Sequence, residues 1–326
     1  RQPYEAVAEG SCMLDEMIRP VALDASAFRS LRMARREDET IWTRDWVCVG
    51  TTHELAGVGD LLPFTAGDHA IHIQRMAGDV LAGRFNKAQH GGCRVVPVQC
   101  QQGTKTPCSF TSCGHSRDRP VIKASELGDA TPEMHQYLGL RPERLLPVRV
   151  GRIGPLLCVN LDPHGAAITD TARSLRAAVP ALSQQDMPLQ GSQWQEVDGN
   201  WKRVAQRLLA AEQLPRAFGA SVLVADTTLA GLPARALWLF PNLVLLALQH
   251  AVCAVVLQPV TLTRTLCRVT VLGNDTLPSS DWRALIGERL AEATPDAPTR
   301  ADAAVASWLA HEMTHRLDTL DLATHP

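Results

Sequence analysis

Alternation of apolar and polar residues marks the first folded part of the chain. Residues 70–76 alternate as a half-buried β-strand does. Neighbouring apolar runs within residues 41–82 are short, and turns at Gly59-Asp60 and Gly67-Asp68 separate them. This pattern predicts a small antiparallel β-domain.

The rest of the pattern indicates helices and longer buried strands. Residues 26–39 predict a short amphipathic helix with a serine cap and a charged end, and residues 166–182 predict a solvent-facing helix. The most apolar run, 234–260, is interrupted by prolines and polar residues, so it predicts two buried strands and not a membrane span. Two helices are predicted after Asp281, and the second, 303–320, has five apolar residues on one face: Val305, Trp308, Leu309, Met313 and Leu317.

Composition narrows the class of protein. The 326 residues are enough for two domains, and 45% hydrophobic with 20% charged residues is typical of a folded globular protein. The formal net charge of -2, without a Lys/Arg-rich run, gives no basic surface for nucleic acid. No apolar signal sequence follows the polar first residues, and the nine cysteines are irregularly spaced. We therefore expect a cytoplasmic protein with mostly free thiols.

One stretch, residues 85–119, concentrates candidate metal ligands. It contains four of the nine cysteines and two of the eleven histidines. Two short Cys/His knots are visible, His90-Gly-Gly-Cys93 and Cys113-Gly-His115. Two such loops at the tips of a small β-domain are typical of a metal cradle.

These loops resemble the Rieske domain of ring-hydroxylating (Rieske) oxygenases. That family holds a [2Fe-2S] cluster through C-x-H in one loop and C-x-x-H in the next. His90 and His115 match the family's histidines, but Ala88 and Ser112 occupy the positions of its two cysteines. The resemblance therefore implies that the ordinary cluster does not form, and we expect no cofactor or metal in this chain.

The neighbouring cysteines leave alternatives open. Cys93 and Cys113, with His90 and His115, could hold a cluster or another metal by rearrangement. High-potential Rieske proteins carry extra loop cysteines near these positions that form a disulfide, so the resemblance also leaves a Cys93–Cys113 pair open. We favour metal-free, vestigial loops, because metal–ligand distances tolerate errors of only about 0.2 Å.

Residues 148–163 resemble the strand by which the family's chain leaves the Rieske domain. Further markers extend the resemblance over about residues 25–320. They are Trp42, Gly59-Asp60, Asn160 to Pro163, Asn200-Trp201-Lys202 and Pro241-Asn242. The resemblance implies an α+β fold with a Rieske-like antiparallel β-domain inserted in a larger helix-grip domain of antiparallel sheet plus helices. We place an N-terminal helical segment of the larger domain at 1–40, the Rieske-like domain at 41–147 and the catalytic-type domain at 148–326.

The second metal site of the family is missing from the sequence. In the family, an acidic residue that bridges to the neighbouring subunit's cluster follows the N-W-K sequence, and two histidines follow that residue. The two histidines and a distant Asp hold Fe(II). This chain has no histidine between His164 and His250, and the bridging acid falls on Ala210 or Ala211. Glu212 is the only carboxylate close by.

An independent motif occurs near the end of the chain. His311-Glu312-Met313-Thr314-His315 fits H-E-x-x-H, which on a helix places two histidines beside a glutamate general base and can bind Zn²⁺. Asp318 stands where a metzincin has glycine. We interpret the motif as a solvated helix face and keep zinc binding by His311 and His315 as an alternative. His250 near Cys253 is interpreted as an ordinary histidine.

Three functions follow from these observations. The favoured one is a non-catalytic (pseudo-oxygenase) structural or regulatory subunit of a hetero-oligomeric Rieske oxygenase. The resemblance implies a ring-shaped partner assembly with an active alpha-type subunit that carries the [2Fe-2S] cluster and Fe(II), reached by a ferredoxin or reductase, and an aromatic or small amine-type substrate. The alternatives are an active oxygenase or electron-transfer subunit with unorthodox ligands, and a zinc peptidase.

Overall fold

The computed structural model describes residues 22–85, 146–184, 186–219, 221–274, 277–291 and 299–323. Within them the chain forms two antiparallel sheets and five α-helices. The first sheet has the order β1-β6-β5-β4-β3-β2. Its strands are β1 (Val47–Thr51), β2 (Leu61–Ala66), β3 (His69–Arg75), β4 (Leu81–Phe85), β5 (Pro147–Ile153) and β6 (Leu156–Asn160).

Turns and strand limits in the first sheet follow the sequence closely. The predicted strand at 70–76 is β3, and the predicted turn at Gly67-Asp68 joins β2 to β3. Gly67 has φ +56°, and a side chain there would collide with Asp38, so the turn requires glycine. The prediction of a single strand over 148–163 is wrong: Gly154, with φ +57°, reverses the chain and splits it into the hairpin β5–β6.

The second sheet has seven strands in the order β7-β13-β12-β11-β10-β9-β8. They are β7 (Leu189–Asp198), β8 (Arg216–Ala217), β9 (Val222–Leu229), β10 (Leu232–Leu239), β11 (Leu243–Ala247), β12 (Ala251–Thr261) and β13 (Arg264–Gly273). The apolar run at 234–260 therefore forms parts of three strands and not two. The extra reversal falls at Phe240 to Asn242, where the chain turns between β10 and β11.

The helices are α1 (Leu31–Glu37), α2 (Thr169–Ala178), α3 (Trp201–Leu209), α4 (Ser279–Ala291) and α5 (Arg300–Ala323). The two helices predicted after Asp281 are confirmed as α4 and α5. The apolar face of α5 is also confirmed, since Val305, Leu309 and Met313 are buried. None of the described helices combines the length and the apolarity that a membrane span needs.

The predicted helix at 26–39 is wrong in its start and its shape. A short 3-10 helix occupies Ala25–Phe28, and the side chain of Ser30 accepts a hydrogen bond from Met33 N–H at the start of α1. A π-helical turn, Asp38–Trp42, follows α1. The side chain of Trp42, at the end of that turn, is buried.

The second sheet satisfies the backbone at both edges of the first. At β1, the Asn242 amide accepts from the Cys48 N–H at 2.9 Å and donates to the Cys48 carbonyl at 2.8 Å. At β2, buried Arg268 of β13 donates to the Pro63 carbonyl at 3.3 and 3.4 Å. An open sheet edge would leave such groups unpaired, so these two side chains join the sheets.

Sheet membership bears on the domain limits. The hairpin β5–β6 pairs with β4 and β1, so residues 147–160 complete the first sheet. The limits of the three predicted segments remain a prediction. The strand pairing places this hairpin with the first sheet, although the predicted boundary at 147 assigned it to the catalytic-type domain.

The described cysteines are free and buried: Cys48, Cys158, Cys253 and Cys267. Burial raises the pKa of Cys253 and of Cys267 to about 12. These two thiols are therefore protonated and unreactive at neutral pH.

Candidate functional site around helix α3

Helix α3 begins the segment in which the resemblance places the iron ligands. Asn200 caps it: the side-chain oxygen accepts from the Lys202 N–H at 3.2 Å. The Asn200 amide donates to the carbonyls of Phe28 at 3.2 Å and Leu262 at 3.1 Å. The cap therefore ties the start of α3 both to the segment before α1 and to the β12–β13 turn.

A buried ion pair joins α1 to α3. The Lys202 Nζ lies 2.5 Å from Glu37 Oε1, and both side chains are almost fully buried. The Trp201 indole N–H donates to the other oxygen of Glu37 at 3.0 Å. Burial lowers the pKa of Lys202, and the charge of Glu37 opposes that shift. Both groups are engaged with each other, so the pair fixes the helices and offers no free acid or base.

Aromatic rings fill the space where α3 and α5 pack on the second sheet. Their centroids lie 5.3–6.5 Å apart in edge-to-face contact. Four of the five side chains are buried and the last is partly buried. The cluster consists of Trp42, Trp201, Trp238, Phe240 and Trp308. Trp201 therefore packs in the core.

The segment after α3 does not provide an iron site. The helix ends at Leu209, and Ala210 after it has φ +27°. Exposed Glu212 accepts from the Thr228 hydroxyl at 3.4 Å. The donor set is thus one carboxylate without an imidazole, and the family's Fe(II) needs two imidazoles. The residues present do not fit that iron.

A cleft of about 850 Å³ opens beside this segment. Its volume is within the range of small-molecule pockets, about 300–1,000 Å³. Asp226 in its wall accepts from Arg216 at 3.0 Å and Arg235 at 3.2 Å, and the hydrogen bond from Arg216 is the main cause that lowers its pKa. The buried hydroxyl of Thr227 lacks a partner. The cleft has room for a ligand, but its best-placed carboxylate is already neutralised by two guanidinium groups.

The H-E-x-x-H motif lies on α5 with both histidines exposed. Glu312 is buried, and Arg316 Nη1 donates to it at 2.7 Å. Arg316 also pairs with Asp45 and donates to the Ser221 hydroxyl at 2.7 Å. The glutamate is therefore held by a guanidinium and does not face His311 and His315 as a free base. Across the described ranges, no group of three or more His, Cys, Asp or Glu side chains is placed to hold a metal.

The cluster-like loops lie outside the described residues. This applies to His90, Cys93, Cys113 and His115, so their predicted state stays a prediction. The strands that flank them, β4 and β5, pair through Gly83 with Val148 and Arg84 with Pro147.

The two-sheet fold is that of the oxygenase subunits of Rieske oxygenases. Superposition on the quaternary ammonium Rieske monooxygenase CntA in complex with gamma-butyrobetaine gives a TM-score of 0.61 at 14% identity, over 90% of this chain and 95% of that chain. Naphthalene 1,2-dioxygenase from Rhodococcus sp. gives 0.59 at 13% identity, over 91% and 94%. The predicted fold class is confirmed.

Relatives found by sequence are oxygenase subunits of the same kind. The chain is 21% identical to the carnitine monooxygenase oxygenase subunit of Escherichia coli (strain K12) over 175 residues, 53% of this chain and 46% of that protein. It is 23% identical to the glycine betaine monooxygenase oxygenase subunit of Chromohalobacter salexigens over 175 residues, 54% and 38%. The match spans less than half the length of these curated relatives. No family model matches the chain. The resemblance read from the sequence is confirmed, at low identity.

Sequence reasoning missed the polar contacts that hold this region together. It identified Lys202 only as part of a motif and Glu37 only as part of a charged helix end. One signal was available: Lys202 precedes Ala205 and Leu209 by three and seven residues, and both of these are buried, so the lysine lies on the apolar face of α3. A lysine in that place needs a buried anionic partner.

Proposed function

We propose that this chain is a non-catalytic structural or regulatory subunit of a hetero-oligomeric Rieske oxygenase. One observation carries the proposal: helix α3 keeps its cap and its packing tryptophan, while the segment after it supplies no imidazole. Fe(II) held by oxygen and nitrogen ligands needs such donors. The chain keeps the residues that cap and pack α3, and it lacks the histidines that would hold Fe(II).

The packing of the other marker residues supports this proposal. Asn160 donates to the Arg44 carbonyl at 2.9 Å and accepts from the Asp162 N–H at 2.8 Å. Asp60 accepts from the Gly57 N–H at 2.8 Å. Together with Asn242 at the sheet junction, these residues satisfy backbone groups. They serve folding and assembly, which is what a structural subunit keeps.

The partner in this proposal is an active alpha-type subunit. It would carry C-x-H, C-x-x-H and the two-histidine helix, and therefore the [2Fe-2S] cluster and Fe(II), in a ring-shaped assembly served by a ferredoxin or reductase. The names of the relatives, carnitine and glycine betaine monooxygenase subunits, favour a small quaternary amine as the substrate of the complex within the broader class of aromatic or small amine-type substrates.

The test is the iron, zinc and acid-labile sulfide content of the chain purified alone under anaerobic conditions. We expect near-zero values, together with an intact alpha-type subunit that co-purifies from the native host. As a control for assembly, a tagged intact alpha-type subunit is expressed with and without this chain. The mass measured by size-exclusion chromatography then shows whether the complex forms.

Other outcomes separate the alternatives. About two irons and two sulfides per chain would mean that His90, Cys93, Cys113 and His115 hold a cluster, and the chain would be an electron-transfer component. One zinc per chain, lost in a His311→Ala, His315→Ala variant and accompanied by chelator-sensitive casein hydrolysis, would favour the peptidase. Either result would overturn the proposal.

A further inference from the structure

Three arginines lie near the first part of α3: Arg29, Arg203 in the first turn, and Arg207, whose guanidinium group reaches back from the last turn to the Asp198 carbonyl before the helix. Arg203 and Arg207 are one turn apart on the same face of the helix, which places their Cβ atoms about 5–6 Å apart. Arg29 directly follows Phe28, whose carbonyl accepts from the cap residue Asn200. The cap therefore brings Arg29 to the same end of α3.

Two of the three guanidinium groups are held in place by neighbouring groups. The Arg203 Cζ lies 4.0 Å from the centroid of the Phe28 ring, and its Nη1 donates weakly to Gln206 at 3.4 Å. The Arg207 Nη1 donates to the carbonyls of Asp198 at 3.2 Å and Leu290 at 3.5 Å. Both side chains are half-buried. Both guanidinium groups are therefore held by contacts within the fold.

In the described part of the chain, no ion pair joins Arg29, Arg203 or Arg207 to a carboxylate. Burial lowers the pKa of Arg203, and the charges of Arg207 and Arg29 lower it further. The Nε–H of Arg207 is buried without an acceptor. Like charges four residues apart destabilise a helix, and Arg203 lies in a first turn that contains no acidic residue.

We propose that Arg29, Arg203 and Arg207 form a binding site for a small multivalent oxyanion, a molecule that carries phosphate or carboxylate groups. Guanidinium groups bind such oxygens through paired, charge-assisted hydrogen bonds. A bound anion would neutralise the repulsion between the three charges. The site needs neither iron nor a partner subunit, so it stands apart from the proposed function.

The test uses the full chain and two probes, inorganic pyrophosphate and tricarballylate, each titrated at constant ionic strength set with sodium chloride. Binding is measured by calorimetry and by the rise in Tm, because a ligand that binds only the folded state stabilises it. We expect saturable binding of at least one probe. Arg203→Gln with Arg207→Gln should weaken it by about tenfold or more. Arg176→Gln, at an exposed arginine of α2, removes one positive charge elsewhere and should bind as the wild type does.

The probe that binds more tightly identifies the chemical group. Equal responses of the wild type and the double variant would mean a general salt effect and would overturn the proposal, as would no response of the wild type to either probe. Arg29→Gln is the second variant if the double variant fails to fold, since this exposed side chain makes no ion pair. It should weaken binding several-fold, and unchanged binding would exclude Arg29 from the site and contradict the three-arginine site.

Discussion

Replacing Asn242 should weaken the junction between the two sheets. Its side chain is 1% exposed, accepts from the Cys48 N–H at 2.9 Å, and donates to the carbonyls of Cys48 at 2.8 Å and Leu257 at 3.2 Å. Asn242→Ala removes three hydrogen bonds at once. It leaves one backbone N–H and two carbonyls buried without these partners, in a place that water does not reach.

The magnitude follows from those three bonds. A buried hydrogen bond contributes about 1 kcal/mol net, and an orphaned buried group costs about 1–3 kcal/mol, so the free energy of unfolding should fall by about 3–4 kcal/mol. Asn242→Asp has nearly the same shape, but at neutral pH its second oxygen would face two carbonyl oxygens. We therefore expect it to be at least as destabilising at neutral pH. The folded state would favour the protonated acid, which raises its pKa, so this variant should become less stable as the pH rises.

The assay is urea unfolding followed by the fluorescence of the seven tryptophans. Asn274→Ala is the matched control, because this exposed asparagine makes no side-chain hydrogen bond to another described residue, and its replacement should change stability by less than about 0.5 kcal/mol. An Asn242→Ala protein as stable as the control would refute the reasoning, since the edge of β1 would then not depend on this amide.

Three further predictions concern charged groups and the cluster-like loops. Lys202→Met should lower the free energy of unfolding by about 3–5 kcal/mol, because it leaves Glu37 buried without its cation, and adding Glu37→Gln should restore part of the loss; a single variant as stable as the wild type would contradict this. Burial raises the pKa of Asp45 although Arg316 opposes the shift, so the folded state binds the proton more tightly than the unfolded state. The stability of the wild type relative to Asp45→Asn should therefore fall as the pH rises above 3.8, the ordinary pKa of this group, and a rise measured over a pH series would count against it. Ala88→Cys combined with Ser112→Cys should give a red-brown protein on iron–sulfur reconstitution, with each single variant as the colourless control, and a colourless double variant would count against the alignment of the loops.

The local pattern predicted most strands and failed where the chain reverses inside an apolar run. The hairpins at Gly154 and at Phe240 to Asn242 lie within largely apolar segments, in which periodicity alone does not place the reversal of the chain. The start of helix α1 was also predicted wrongly, because the sequence offers two caps. Ser26 and Ser30 are both plausible caps, and docking of Phe28 against α3 decides between them.

The sequence and the tertiary structure thus determined different features of this protein. The sequence by itself indicated the fold class, through marker residues that resemble those of a known family, and it determined that no histidine lies between His164 and His250, which is a fact of composition. Only the tertiary structure decided which polar groups meet: Glu37 with Lys202, Cys48 with Asn242, and Asp45 with Arg316. These partners are 165, 194 and 271 residues apart. Contacts over such separations depend on how two sheets pack on each other, and no local pattern of residues records that packing.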